Sequence, residues 1–314
     1  MIQIMSTTKT KLITISLSLL FLTSFHVSHR HHTFCFPEND MSFPENAKTS
    51  GGLTKQEFDL VLDEFEAVMQ FEVNSVENGA KLVVERLWNN NSVNAYALPY
   101  GIYRQITLFG GLGRHPEMTT DVLRLVACHE VGHHLAGRPY WPERDPNNSN
   151  LFLEGSESWA AAEGESDYYA SLKCFRHLVI EGQGMNLAIE SPELTGYPQA
   201  EFAFAKSSCD QSFTKSEDQD ICLRASLAGY TAGRIFKGMA SKEISLKTPT
   251  TNVVSKLDFR HPAGQCRADT YFQGALCRIT YRDRKDKDDP NYNTCNEKNN
   301  DKVGIRPRCW YKPS

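Results

Sequence analysis

The sequence predicts an α+β fold that is mainly helical, with a small sheet and a disulfide-bearing C-terminal part. Apolar residues recur at helical spacing in several segments, whereas the segment from 80 to 112 has short runs rich in Val, Ile, Tyr and Phe. Six of the nine cysteines follow residue 205. With 314 residues, 40% hydrophobic and 23% charged, the chain has the composition of a globular protein.

The N-terminal segment predicts export. Lys9 and Lys11 precede an apolar run over residues 12–25, which has the charged start and short apolar middle of a secretory signal. Small residues do not fall together at a cleavage site, so we predict that residues 1–28 are a signal peptide or an uncleaved N-terminal anchor. The protein is then periplasmic or extracellular. Residues 29–52, rich in His, Asn, Pro and Ser, are predicted to be a disordered leader.

Cysteine usage agrees with export, because nine cysteines suit an oxidising compartment. The last six form three neighbouring pairs that we predict to be bonded, although the sequence alone leaves the pairing open: Cys209 with Cys222, Cys266 with Cys277, and Cys295 with Cys309. The odd total leaves at least one free thiol unless another chain supplies a partner. Cys128, on an apolar helix face, is the candidate for that buried thiol.

Regular elements follow the leader. Residues 53–71 predict a core-facing helix, because apolar residues form one stripe and Thr54 and Glu57 have the spacing of a capping box. The runs at 80–88 and 93–112 predict strands. Residues 223–239 predict a further helix, and residues 246–314 a cysteine-containing C-terminal extension.

The segment CHEVGHHLAGRP, residues 128–139, predicts a metal site on a helix that ends at Gly137 and Pro139. His129 and His133 are four residues apart, so both rings project from one side of a helix. Glu130 lies beside them, where its carboxylate can act as general base on a metal-activated water. A helix with hydrogen-bonded histidines and no metal is the alternative. His134 points about 100° away from His133, as a solvated or hydrogen-bonding neighbour.

A second helix, predicted over residues 156–178 with Ser156 or Ser158 as its cap, supplies the third ligand. Glu163 and Asp167 share one face, which favours Glu163 as a zinc ligand and Asp167 as the residue that orients a histidine. Glu165 is the competing candidate. Two residues on a helix correspond to about 200° of rotation, so Glu163 and Glu165 cannot both meet one metal ion.

HEVGH followed by EGESD resembles the HExxH and ExxxD motifs of the gluzincin metallopeptidases, the zincin-like group with the CAAX prenyl proteases, HtpX and BepA. The resemblance covers roughly residues 53–180 and extends to SVNAYALPYG and QITLFGGL before the metal helix. It implies a metallopeptidase domain, which we assign to residues 53–245, with one zinc ion on His129, His133 and Glu163. It also implies Glu130 as general base, Asp167 as the carboxylate that orients a zinc-binding histidine, and a strand at residues 104–109 that binds substrate at its edge.

We therefore predict an exported zinc-dependent endopeptidase acting on peptide or protein substrates. The net charge of −4, without a long Lys/Arg cluster, gives no reason to expect a nucleic-acid partner, and membrane contact is expected only through an uncleaved N-terminal anchor. One alternative is a zinc-binding, non-hydrolytic secreted protein with a structural or chaperone-like role. The other is a disulfide-stabilised binding module without metal. The candidates for an oxyanion-stabilising residue are Tyr168, Tyr230, Arg260 and His261.

Overall fold

The computed structural model describes residues 33–46, 50–182, 196–237 and 243–313, which leaves the predicted signal or anchor, residues 1–28, outside the described part. The helices are α1 (Lys55–Val76), α2 (Gly110–Gly113), α3 (Thr120–Leu135), α4 (Glu163–Tyr169), α5 (Phe175–Glu181), α6 (Gln199–Ser212), α7 (Ser216–Lys237) and α8 (Gly264–Leu276). The strands are β1 (Thr33–Phe34), β2 (Lys81–Leu87), β3 (Ala95–Tyr100), β4 (Tyr103–Phe109), β5 (Arg144–Asp145) and β6 (Asn148–Phe152). The fold is α+β, and none of the helices described is long and apolar enough to cross a bilayer.

The main sheet has the strand order β1-β3-β4-β2. β3 and β4 form an antiparallel hairpin whose turn contains Gly101 in the left-handed region, with φ +57°. β2 runs parallel to β4 on the other side. The strands predicted within residues 80–88 and 93–112 are confirmed. The expectation of a free edge at residues 104–109 is wrong, because β4 is hydrogen-bonded to a strand on each side.

α1 confirms the first predicted helix. Thr54 and Glu57 form the capping box, in which each side chain bonds the backbone N–H of the other residue. The buried face packs against α3 and β2. It consists of Phe58, Val61, Leu62, Phe65, Met69 and Val73.

α3, which carries the HEVGH sequence, runs through the protein interior. The Thr119 hydroxyl caps it by accepting a hydrogen bond from the Val122 N–H. α1, α4, α7 and the sheet surround the helix, which explains why most of its residues are buried. A Cβ at Gly132 would lie 3.1 Å from the Ser166 Cα, so glycine lets α3 and α4 approach closely.

The second site helix begins at Glu163 rather than at residue 156, and neither Ser156 nor Ser158 caps it. The preceding residues are extended because their backbone is bonded elsewhere. The Ala161 N–H donates to the His133 carbonyl (3.0 Å) and the Ala162 N–H to the Pro139 carbonyl (2.8 Å). The alanines at residues 160–162 therefore pack along the end of α3 as an extended segment. A π-helical turn, Ala170–Cys174, joins α4 to α5.

The C-terminal residues pack against the domain. α8 lies against both α7 and α4, so part of the predicted extension, residues 246–314, borders the candidate site. The helix predicted from residue 223 falls within α7.

Three of the cysteine assignments change in the structure. Cys209 bonds Cys222 as predicted, but Cys266 bonds Cys309 and Cys277 bonds Cys295, so the other two predicted pairs are wrong. Cys266 and Cys277 lie at opposite ends of α8, roughly 16 Å apart along the helix axis, and a disulfide spans Cα atoms only about 4.4–6.8 Å apart.

Cys128 is not the free thiol. It bonds Cys174 and thereby joins α3 to the π-helical turn, whereas Cys35, which is buried, is unpaired. Sequence patterns do not reveal this pairing because the two half-cystines are brought together only by the packing of α3 on the turn. The four disulfides indicate an oxidising, exported environment.

The disordered leader predicted over residues 29–52 does not hold for residues 33–46. β1 pairs antiparallel with β3, and the Cys35 N–H donates to the Ala95 carbonyl at 3.0 Å. Phe36 is fully buried and stacks on Phe236 with ring centroids 4.2 Å apart. Polar composition predicted disorder here, but a short apolar run and an open strand edge order the segment.

Candidate metal centre

α3 places His129 and His133 on one side, one helical turn apart. Their ring centroids are 4.8 Å apart, and both side chains are fully buried. This is the arrangement that the spacing of four residues predicts.

Each imidazole is oriented by a hydrogen bond from its Nδ1. His133 Nδ1 lies 2.8 Å from the Ala161 carbonyl, and His129 Nδ1 lies 2.7 Å from Asp167 Oδ1. Since both partners are acceptors, each Nδ1 donates its proton to them, and Nε2 is the nitrogen that faces Glu163. The extended segment before α4 therefore has a direct role in aiming His133.

Glu163 completes a three-residue group. Its Oε2 lies 3.3 Å from His129 Nε2 and its Oε1 lies 3.7 Å from His133 Nε2. One ligand atom from each of the three residues lies within 4.8 Å of the others, so the group could hold a metal ion. Both Glu163 oxygens and His133 Nε2 are buried without a well-formed hydrogen bond. Buried polar atoms are rarely left unpaired in this way, and a metal ion at their centre would satisfy all of them.

The protonation states of the three residues differ. Burial lowers the pKa of His133 to about 4, so its imidazole is neutral at neutral pH. Burial alone would raise the pKa of Glu163, but His261, His133 and His129 outweigh it and hold that pKa below its usual range. Burial alone would lower the pKa of His129, but Cys35 and Asp167 outweigh it and raise that pKa well above its usual value, so a metal ion at Nε2 would have to displace a proton.

Asp167 is held by Arg267, a residue that the sequence analysis did not identify. The Arg267 Nε and Nη2 donate to the two Asp167 oxygens at 2.8 and 2.6 Å, and both side chains are fully buried. Burial opposes ionisation of Asp167, but Arg267 keeps its pKa lowered. A bidentate guanidinium pair fixes the carboxylate plane and thereby the ring of His129.

Glu130 is fully buried, and neither carboxylate oxygen has a well-formed hydrogen bond. Burial raises its pKa to about 8. A carboxyl group that exchanges its proton near neutral pH suits the predicted role of general base.

The neighbouring polar residues point elsewhere. His134 Nε2 lies 3.1 Å from the Gln105 carbonyl and the ring stacks on Trp159, so it is a hydrogen-bonding neighbour. Glu165, the competing carboxylate, faces away from the histidines and pairs with Arg306 and Lys285.

Of the four candidates for oxyanion stabilisation, His261 lies at the site, with its Nε2 3.5 Å from Glu163 Oε1. The Tyr168 hydroxyl donates to the Gly304 carbonyl, and Arg260 is exposed and pairs with Asp258. Tyr230 lies on α7 with its ring against Arg234. These three side chains are therefore engaged in contacts outside the histidine cluster.

No protein-family model, curated protein or solved structure matches this chain.

Proposed function

We propose that this protein is an exported zinc-dependent endopeptidase with a zincin-like domain of the gluzincin type. The observation that carries the proposal is the convergence of His129, His133 and Glu163, in which His133 Nε2 and both Glu163 oxygens are buried without a well-formed hydrogen bond. Two imidazole nitrogens and one carboxylate form the donor set of catalytic zinc sites that keep one position open. The HEVGH and EGESD motifs of the sequence support the same assignment.

The residues divide the chemistry among them. His129, His133 and Glu163 would hold the zinc ion, which when bound acidifies a water molecule and polarises the substrate carbonyl. Glu130 accepts the proton as that water attacks the carbonyl carbon, and returns it to the amine nitrogen as the C–N bond breaks. Asp167 and Arg267 keep His129 in the tautomer and orientation that ligation requires.

Glu130 favours catalysis over a purely structural metal site. A structural site has no use for a carboxylate beside its ligands, and a fully buried glutamate without a hydrogen-bond partner is costly to maintain. The non-hydrolytic alternative leaves that cost unexplained.

Glu130→Gln tests the proposal. The variant should retain zinc, since Glu130 is not among the three ligands, and should lose roughly 10²- to 10⁴-fold in peptide hydrolysis, because an amide cannot accept the proton. Zinc content measured by elemental analysis and cleavage of an unfolded protein substrate provide the two readouts. Glu117→Gln, which changes a surface glutamate paired with Arg234, is the matched control. Undiminished hydrolysis by a zinc-loaded Glu130→Gln protein would contradict the mechanism.

A further inference from the structure

The segment Thr33–Phe36 lies across the candidate metal centre. β1 occupies the edge of β3, and two carbonyls at its end accept hydrogen bonds from site residues: His261 Nε2 bonds the Phe34 carbonyl, and Arg267 Nη1 bonds the carbonyl of the next residue, Cys35. His261 is also 3.5 Å from Glu163, and Arg267 holds Asp167. Two residues of the metal centre thus fix the backbone of this segment.

The thiol of Cys35 lies beside one proposed metal ligand, His129, and beside Glu130. Its Sγ, one ring nitrogen of His129 and one carboxylate oxygen of Glu130 all lie within 4.8 Å of one another. Cys35 is fully buried and is the one cysteine of the nine outside the four disulfides. The unpartnered Glu130 oxygens mark the side from which the reacting water would be deprotonated, and the sulfur lies on that side of His129.

The same segment occupies the place expected for a substrate. β4 has a strand on both sides, so β3 provides the edge on which an extended peptide could pair, and β1 takes that edge with the register Thr33↔Ala97 and Phe34↔Tyr96. His129, Glu130, His133 and Glu163 have no exposed surface with the segment in place. A peptide can therefore reach them only if residues that cover them move, and the segment is among the residues packed at the site.

We propose that residues 33–36 form an autoinhibitory segment and that Cys35 is a fourth protein ligand of the metal ion. The inference rests on the proposed zinc site. The thiol gives up its proton to solvent, and the thiolate sulfur takes the coordination position that a water molecule would fill, without any change of oxidation state. Displacement of the segment returns that position to water and opens the β3 edge to substrate.

Cobalt substitution tests the ligand directly, because a thiolate bound to Co²⁺ gives an intense near-ultraviolet charge-transfer band. The full-length protein loaded with Co²⁺ should show this band, and Cys35→Ser should lose it while binding the same amount of cobalt. Glu38→Ala, which changes an exposed residue two positions after the segment, should keep it. A cobalt-loaded wild type without the band would overturn the assignment of Cys35.

Activity tests the inhibitory role separately. Cys35→Ser should hydrolyse an unfolded protein substrate faster than the wild type at equal zinc content, and the double variant Cys35→Ser/Glu130→Gln should be inactive. A zinc-loaded Cys35→Ser protein no faster than wild type would overturn the inhibitory role. A wild type that binds no metal would refute the proposed zinc site itself, whereas normal metal binding without the cobalt band would refute only the ligand proposal.

Discussion

Glu163 and Glu165 are two fully buried glutamates on the same helix whose environments are opposite. Glu165 receives hydrogen bonds from Arg306 Nε and Nη2 at 2.6 and 2.9 Å and also pairs with Lys285. Glu163 has no well-formed hydrogen bond, and its nearest polar neighbours are imidazole nitrogens. Because two residues of a helix turn through about 200°, one carboxylate faces α3 and the other faces the C-terminal part of the chain.

The difference shows that burial of an acid does not by itself identify a metal ligand. A carboxylate neutralised by a bidentate guanidinium has its charge and lone pairs satisfied, so it stabilises the packing of α4 on the C-terminal residues. A carboxylate that is ionised and buried, with imidazole nitrogens rather than a guanidinium beside it, is suited to hold a metal ion together with those nitrogens. This difference in environment is the reason for proposing Glu163, and not Glu165, as a metal ligand.

The largest effect on stability is expected for Glu165→Ala. Arg306 and Lys285 would be left buried without a counter-charge, which should lower the free energy of unfolding by about 3–5 kcal/mol. Metal content should stay nearly unchanged, since Glu165 faces away from the histidines. Urea unfolding and elemental analysis of the folded protein measure the two effects. Glu157→Ala, which breaks an exposed pair with Arg138, should cost less than about 1 kcal/mol. If the two variants lost the same free energy of unfolding, the structural role assigned to Glu165 would be contradicted.

The next largest loss of stability is expected when a disulfide is removed. Replacing both Cys128 and Cys174 by alanine opens a loop with a sequence separation of 46, against 13 for Cys209 and Cys222, so the chain-entropy model predicts losses of about 4 and about 3 kcal/mol. The Cys128–Cys174 bridge joins α3, which carries the two histidines, to the π-helical turn after α4. Its removal should therefore also weaken metal binding, whereas removal of Cys209–Cys222 should not. Calorimetry and zinc titration of the two double variants test this, and equal zinc affinities would show that the first bridge does not support the site.

The smallest of these effects is expected for Asp167→Ala. Asp167 touches His129 without belonging to the three-residue group, so its loss should weaken zinc binding by roughly ten- to a hundredfold rather than abolish it. Arg267→Lys should weaken binding less, because a lysine keeps the charge but not the bidentate geometry. Competition with a chelator gives both affinities. If Asp167→Ala binds zinc as tightly as the wild type, the orientation of His129 is independent of this pair.

Local spacing was sufficient to place the histidines, Glu130, Glu163 and Asp167, because each set lies within one or two turns of a helix. It was not sufficient for Arg267, which lies 100 residues from Asp167 in the sequence, or for Cys35, which reaches the site through strand pairing. Both contacts depend on how distant elements pack.

Dependence on the packing of distant elements also explains why the start of α4 and two of the disulfide pairs differ from the predictions. The start of α4 depends on backbone bonds from Ala161 and Ala162 to the end of α3, which no helix propensity encodes. The pairing of Cys266 with Cys309 depends on the length of α8 and on the path of the chain that returns to it. The small sheet, in contrast, followed from apolar runs that are continuous in the sequence.

Metal content of Glu163→Ala tests the central claim most directly. The wild-type protein should contain about one zinc ion per chain, and the Glu163→Ala protein, shown to be folded by circular dichroism, should lose it, because two imidazoles hold zinc much less well than a complete ligand set. Elemental analysis after removal of loosely bound metal gives the stoichiometry. A folded Glu163→Ala protein that retains about one zinc ion per chain, or a wild type that binds none, would contradict the account.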